Sequence, residues 1–352
     1  MENNERVTIS DVAEQAGVST GTVSAVLNGK SSVRKETRDR VEETIEELKY
    51  RPSPSARNLG SSRAGKRGKS EKIGVILKEI GNPFYTDLIL GVRDFMNDEG
   101  YDVFVSTSEG GYKKEKDVIG AFQDRDLDGV IVAPILKKDA DISHLFSLRE
   151  NEYPFVLLED VRGLRASVVS IDNVRAAELA VRYLIDHGHE RIVHFSGPRY
   201  SKHTRDRVRG VRKAFSESNI QFTEDVIIST GARMEDGYQK AKTLFEDQSE
   251  NGFPTAVTCF NDLVAMGVMR AIEEAGLDVP GDVSVIGCDD IQPAQYLSVP
   301  LTTVQAPKRK MGQVAAKLLL RQIESDESVD PKQVVLESEL VVRDSTEPIA
   351  DQ

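Results

Sequence analysis

The polar residues best placed for chemistry stand behind short apolar runs. Asn82 and Phe84 follow KIGVIL, Glu159 and Asp160 end PFVLLED, Asn261 and Asp262 follow TAVTCF, and Asp289 and Asp290 follow DVSVIGC. Such carboxylates and amides can hold a small polar ligand. Two carboxylates flanking one bond, about 5.5 Å or 6.5–9.5 Å apart, could instead hydrolyse a glycoside or a phosphoester, and Glu159 with Asp289 is the pair for that. Other chemistries find little support. No CxxC, HExxH or Walker-type run is present, and His187 and His189 flank Gly188 in the manner of a helix cap and turn rather than a metal site. Cys259 and Cys288 sit inside apolar runs, as buried thiols in a reducing compartment do. No cofactor or metal is implied.

The elements that must position these residues alternate. KIGVIL, YDVFVS, DGVIVA, PFVLLE and SVVSI read as strands, with helices over Phe84–Glu99, Glu115–Arg125 and Ile142–Asn151. The pattern resumes with RIVHFS, TAVTCF and DVSVIG, separated by helices near Val174–His187, Thr204–Ser218, Glu235–Glu246 and Leu263–Ala275. Alternating βα units predict parallel sheets covered on both faces, and two runs of them predict two doubly wound lobes. Ligands in open α/β sheets sit beyond the carboxyl ends of the strands, which is why the residues named above matter.

At 352 residues the chain has room for two or three domains. No apolar run approaches the roughly 18–20 residues that span a bilayer, and the polar start MENNER has no secretory pattern, so a cytoplasmic protein with no membrane partner is expected. The net charge of −12 is unevenly spread: residues 49–72 hold eight basic side chains and only Glu71 as an acid. That local basic segment can hold phosphates although the body is acidic, because beyond a Debye length of about 8 Å the body is screened. A solvated basic linker is the plainer reading of the same residues.

At the amino end, Ile9, Val12, Ala13 and Ala16 fall on one helical face, and Thr8 with Asp11 has capping-box form. Gly17 suits a helix stop and Ser19 the N-cap of a second helix with Val23, Val26 and Leu27 inward. The outward residues, Thr20, Gly21, Ser24, Ala25 and Asn28, are small and polar. They would let the second helix enter a major groove about 12 Å wide; an ordinary helical hairpin packed in a core is the alternative. Val33, Thr37, Val41, Ile45 and Leu48 form the inward stripe of a third helix, with Arg34, Lys35 and Arg38 at its start in reach of a phosphate backbone. In YRPSPSARNL, Ser53 and Pro54 suit the start of a helix too short to be stable alone, and Leu59 suits wedging between base steps in a minor groove.

These residues resemble the LacI/GalR family of bacterial transcription repressors, through VAEQAGVSTGTVSAVLNG and the YRPSPSARNL hinge. The likeness continues to about Thr346 through GNPFY, SIDNVRAAELAVRYLIDHGHERI, SGP, RVRG, PTAVTCFND, VPGDVSVIGCDD, PLTTV and LVVRDST. The resemblance implies an all-α helix-turn-helix DNA-binding head and a periplasmic-binding-protein-like α/β core of two lobes. It places the head at 1–50, a hinge helix and basic linker at 51–72, the effector-binding and dimerisation core at 73–346 and a tail at 347–352. The first lobe would take 73–171 and 305–333, the second 172–304 and 334–346. Thr20, Gly21 and Ala25 would face bases, and Ser19, Thr22, Ser24 and Asn28 the backbone. Leu59 would be the wedge, with Ala56 small enough for two hinges to approach, and Thr8, Arg34, Thr37 and Arg57 would complete the duplex-facing set.

In the core, the resemblance puts Arg207, Asn261 and Asp289 in a cleft with Phe84 from the first lobe, Glu159 as a further acceptor and Asp160 at a position that varies with the effector. Ala232 and Arg233 form another cleft-lining stretch. Arg207 offers a planar fork of donors, Asp289 accepts from two hydroxyls, Asn261 does both, and Phe84 can lie against the apolar face of a sugar ring. Alternatively, Arg207 could pair with an acid across the cleft, and Asp262 and Asp290 could be helix caps or ion-pair partners. The expected protein is a homodimeric repressor of carbohydrate-utilisation genes on a palindromic double-stranded operator, with a sugar or sugar derivative as effector. The other readings are a nucleoside, purine-type or phosphorylated effector, or a carbohydrate-acting enzyme. Ala25 departs from the arginine common in the family, and the stretch from Gly60 to Lys72 is longer than the usual link. With no leucine heptads before EPIADQ, no tetramer held by a carboxyl-terminal coiled coil is expected.

Overall fold

The computed structural model describes residues 8–27, 33–48, 69–137, 140–246 and 252–349. The chain divides into two compact units, one of Met1–Glu71 with Phe122–Leu127 and the other of Lys72–Ala121 with Asp128–Gln352; each is described by itself, with the end of the helix over Tyr112–Asp124 kept with its helix.

In the amino-terminal unit, α1 (Ile9–Gln15), α2 (Thr20–Leu27) and α3 (Lys35–Glu47) pack around Val12, Ala13, Ala16, Val23, Val26 and Val41, all buried. The capping box is present: the Thr8 backbone N–H donates to Asp11 Oδ2 at 2.7 Å, and Thr8 Oγ1 accepts from the Asp11 N–H at 3.4 Å. Gly17 takes φ +64°, a left-handed conformation that costs a glycine little, and so turns the chain between α1 and α2. Ser19 Oγ accepts from the Thr22 N–H at 3.2 Å, as an N-cap does. The third stripe is seated as its spacing predicts, with Val41 buried and Val33, Ile45 and Leu48 packed against the cluster.

The larger unit has two six-stranded sheets. The first lobe contains β1 (Lys72–Leu77), α4 (Phe84–Asp98), β2 (Asp102–Thr107), α5 (Tyr112–Asp124), β3 (Gly129–Val132), α6 (Ser143–Glu150), β4 (Phe155–Leu157) and β5 (Ser167–Ile171). The second contains α7 (Asn173–Asp186), β6 (Ile192–Ser196), α8 (Lys202–Ser216), β7 (Ile227–Ser229), α9 (Met234–Glu246), β8 (Ala256–Cys259), α10 (Asp262–Glu274), β9 (Ser284–Asp289) and β10 (Thr302–Gln305). The chain then returns to the first lobe as α11 (Lys308–Glu324) and β11 (Gln333–Leu336), and ends in the second as β12 (Glu339–Val341). The strand orders are β11-β5-β4-β3-β1-β2 and β12-β10-β9-β8-β6-β7.

Two differences from the sequence expectation have simple causes. The last crossing falls after Leu336 rather than at 333, because Gln333–Leu336 adds a parallel strand beside β5, with Val334 opposite Val169. The second sheet is not wholly parallel: β12 runs antiparallel to β10, as the edge strand of an otherwise parallel sheet often does.

Central strands are buried on both faces, so β1 and β3 read as continuous apolar runs. Helices press close where glycine permits. A Cβ at Gly312 of α11 would lie 2.1 Å from the Leu88 carbonyl oxygen of α4, and one at Gly210 of α8 would lie 2.1 Å from that of Val174 in α7. These contacts fix α4 and α8, the two helices that carry Phe84 and Arg207.

Candidate nucleic-acid interface and effector cavity

On α2, Thr20 and Gly21 are exposed beside the exposed Ser19, at the helix N-terminal turn. Thr22, Ser24 and Ala25 are half-buried, and Ser19 Oγ lies 2.9 Å from Thr22 Oγ1. Arg34 is exposed just before α3 and Thr37 half-buried on it, while the Thr8 hydroxyl is engaged with Asp11 Oδ2 at 2.8 Å. Asn28, Ala56, Arg57 and Leu59 lie outside the described residues.

In the core unit, a cavity of about 620 Å³ opens between the carboxyl ends of the two sheets. Phe84, Glu159, Arg207, Asn261 and Asp289 all line it, as do Ala232 and Arg233. Asp160 does not; it is exposed, beyond the end of β4 and outside the cavity lining.

Arg207 falls in the inward stripe of α8, with Thr204, Gly210, Val211 and Ala214. A cation there needs partners, and it has them. Its Nε donates to Asn173 Oδ1 at 2.9 Å, Nη1 donates to the Phe260 carbonyl, and Nη2 lies 3.6 Å from Asp289 Oδ1. The guanidinium also stacks over the Phe260 ring, 4.7 Å from its centroid. The acid that Arg207 meets belongs to its own lobe, not to the far side of the cleft. Behind it, His194 Nδ1 sits 2.9 Å from Thr258 Oγ1; burial, reinforced by the Arg207 charge, pushes this imidazole down to about 3 and keeps it neutral.

Asp289 ends β9 at φ +120°. Burial pushes its carboxyl up to about 6, against the pull of Arg207 and Lys308. Lys308, buried at the start of α11, donates to the backbone carbonyls of Asp289 and Asp290 and so ties the first lobe to this turn of the second. Asn261 caps α10: its Oδ1 accepts from Val264 N–H at 2.9 Å while its Nδ2 donates to the Ala232 carbonyl at 2.9 Å. The cap is therefore Asn261 and not Asp262. Asp262 is instead wholly buried, accepting from Thr303 Oγ1 at 2.5 Å and Ile291 N–H at 2.8 Å, and burial followed by the Asp289 charge raises it to about 7. Asp290 is an ion-pair partner, 2.5 Å from Arg343 Nη2.

On the first-lobe side, Asn82 Oδ1 accepts from the Phe84 N–H at 3.0 Å, starting α4 and presenting the Phe84 ring to the cavity. Tyr85 meets that ring edge-on at 5.3 Å; burial, with the charges of Glu79, Glu159 and Asp289, raises its hydroxyl well above the usual range. Glu159 is the hub of a cluster that the sequence did not disclose. Lys78 Nζ reaches its Oε2 at 2.7 Å, and His203 Nε2 approaches the same oxygen from the other lobe at 3.5 Å. Burial would raise this carboxyl, but the charge and hydrogen bond of Lys78 oppose it, and Glu159 is held below the ordinary range. Burial pushes His203 down to about 4, so it is neutral near pH 7. A second pair joins the lobes at the rim, Arg233 Nη2 to Glu79 Oε2 at 3.3 Å. Two signals pointed to these residues: Lys78 and Glu79 directly follow the β1 run, and His203 precedes Arg207 by one helical turn.

Among the described residues, no group of three or more metal-ligating side chains could hold an ion, and no helix is long and apolar enough to cross a membrane.

Comparison with known proteins agrees with this construction. Residues 8–53 match the model of bacterial regulatory proteins of the lacI family, and residues 181–346 match a periplasmic binding protein-like domain. A curated relative, the HTH-type transcriptional repressor PurR of Vibrio vulnificus (strain CMCP6), is 33% identical over 97% of this chain and 99% of its own length. Among solved structures, the lac repressor dimer bound to operator and the anti-inducer ONPF has a TM-score of 0.75 and 28% identity, covering 97% of this chain and 100% of that one. The complex of the transcriptional regulator CelR with cellobiose has a TM-score of 0.71 and 28% identity over the same shares. With a matched reader segment and a full-length relative above 30% identity, the chain belongs to the LacI family of transcriptional repressors.

Proposed function

We propose that this chain works in the cytoplasm as a homodimeric repressor. It reads a near-palindromic operator through α2, with Thr20, Gly21 and Ala25 toward bases and Leu59 as a minor-groove wedge. A small molecule in the cavity sets its operator affinity. The observation that carries the reading is one chain joining an exposed, small-residue helix start at Thr20–Gly21 to a cavity where Arg207, Asn261 and Asp289 converge. The lac repressor dimer on its operator supports the assembly. A coupling of about 1–3 kcal/mol, or 5–150-fold in affinity, suffices for such a switch.

For the effector, a purine-type heterocycle is the better-supported class. The relative named PurR aligns along nearly the whole chain. Within the cavity, Arg207 and Asp289 offer a donor and an acceptor side by side, and Phe84, Leu158 and Ile171 supply an aromatic face and an apolar wall. A flat heterocycle with adjacent acceptor and donor atoms uses both. A sugar, and with it control of carbohydrate-utilisation genes, is the second reading, favoured by the similarity to the CelR–cellobiose complex.

Catalysis fits the side chains poorly. Glu159 is held ionised between Lys78 and His203, and Asp289 is engaged by Arg207, so neither is free to protonate a leaving group. A thermal-shift panel of purine bases, nucleosides and sugars tests the reading, since a ligand at 100 times its Kd adds about 2.7 kcal/mol of stability. Turnover of a glycoside by the purified chain would overturn it.

A further inference from the structure

Three of the four cations that line the cavity, all but the exposed Lys137, are already engaged by neighbouring side chains. Five carboxylates line it against four side-chain cations, since His203 is neutral. Lys78 is engaged by Glu159 at 2.7 Å, Arg233 by Glu79 at 3.3 Å, and Arg207 by Asn173, the Phe260 carbonyl and Asp289. Two of these carboxylates also meet a partner from the opposite lobe: Glu159 meets His203 and Glu79 meets Arg233.

We propose that the cavity is built for an electrically neutral effector, and that Glu79 and Glu159 are the residues that exclude phosphorylated forms of it. The proposal rests on the reading of this cavity as the effector site and narrows its ligand class. A phosphate monoester brings close to two negative charges. Unless it is met only at the exposed Lys137, binding it takes Lys78 or Arg233 from its carboxylate, and the carboxylate left behind, 4% exposed in the case of Glu159, faces the phosphate in a poorly solvated wall. Where Arg233 is the cation that leaves, the Glu79–Arg233 contact between the lobes is lost as well. An anionic ligand thus meets like charge and also opposes closure, whereas a neutral one leaves the pairs intact. Even at an effective dielectric near 20, one uncompensated charge about 5 Å away weakens binding by roughly a hundredfold or more.

The test uses matched probes and the full-length chain: calorimetric titration with inosine against inosine 5′-monophosphate, and with glucose against glucose 6-phosphate. The neutral member of the pair that binds is expected to bind at least about a hundredfold more tightly. In the Glu79→Gln/Glu159→Gln variant that gap is expected to shrink at least about tenfold. A phosphorylated member binding as tightly as its neutral partner overturns the proposal, as does an unchanged gap in a variant with a near-native melting temperature. Binding by no member of either pair, with no stabilisation by any compound of the thermal-shift panel, removes the effector reading itself, a separate outcome that takes the proposal with it.

Discussion

Replacing Arg207 by methionine keeps most of its volume and removes its charge. Arg207 is 4% exposed, and its Nη2 lies 3.6 Å from Asp289 Oδ1. At an effective dielectric near 20, that separation corresponds to an attraction of roughly 4–5 kcal/mol before desolvation is subtracted. Removing one member of a buried pair typically costs about 3–5 kcal/mol, because the other is left uncompensated. Part of that loss is relieved here. Asp289 already stands at about 6 with the cation beside it; without Arg207 it rises further and takes up a proton near neutrality. Asp289→Asn should therefore cost less in the Arg207→Met background than alone, with a coupling of about 1–3 kcal/mol. The chain has no tryptophan, so urea unfolding at pH 7.5 is followed by far-ultraviolet circular dichroism. A coupling below about 0.5 kcal/mol would refute the pairing. The single variant should also lose stabilisation by any ligand that protects the wild type, with operator affinity unchanged.

Four further outcomes follow from particular residues. His194, ordinarily near 6.5 and held near 3 in the fold, adds stability that is complete above pH 6.5 and is lost as the pH falls toward 3. At pH 5 its contribution should have dropped by about 2 kcal/mol. Urea unfolding at pH 7.5 and 5.0 should show a smaller acid loss in His194→Gln, and equal losses would contradict its neutral burial. Gly210→Ala should cost about 1–3 kcal/mol or more, since its Cβ would lie 2.1 Å from the Val174 carbonyl oxygen; an unchanged melting temperature would show that α7 and α8 do not press so closely. Thr20→Glu should weaken duplex binding at least about tenfold in fluorescence anisotropy while leaving the melting temperature unchanged, because an exposed acid suits a helix N-terminus but repels phosphates. Ala25→Arg should change base preference at one position per half-site in selection from random duplexes; no shift would mean that α2 does not face the bases.

Local rules were the legible part of this chain. The Thr8–Asp11 box, the Gly17 turn and the inward stripes of the three amino-terminal helices depend on neighbours within a few residues, and each stands where its spacing put it. The βα alternation to Asp289, β7 apart, was readable for the same reason. The last third was harder. β7, β11 and β12 are strands of three or four residues with half-exposed patterns, so they lack the apolar runs that betray β1 or β9. The stripe of α11, with Met311, Ala315, Ala316, Leu319 and Leu320 buried, was present at helical spacing, but its return to the first lobe depends on long-range packing against α4. Within the cavity, position behind a strand marked Phe84, Asn261 and Asp289. Pairing across lobes, as in His203 with Glu159, leaves no local trace.

The most direct test of the central claim is recovery of bound fragments from sheared genomic DNA by the purified full-length chain, with and without the thermal-shift hits. The account predicts enrichment of fragments sharing a near-palindromic site, and an enrichment that changes when a cavity ligand is added. Recovery without sequence preference under every condition would contradict it.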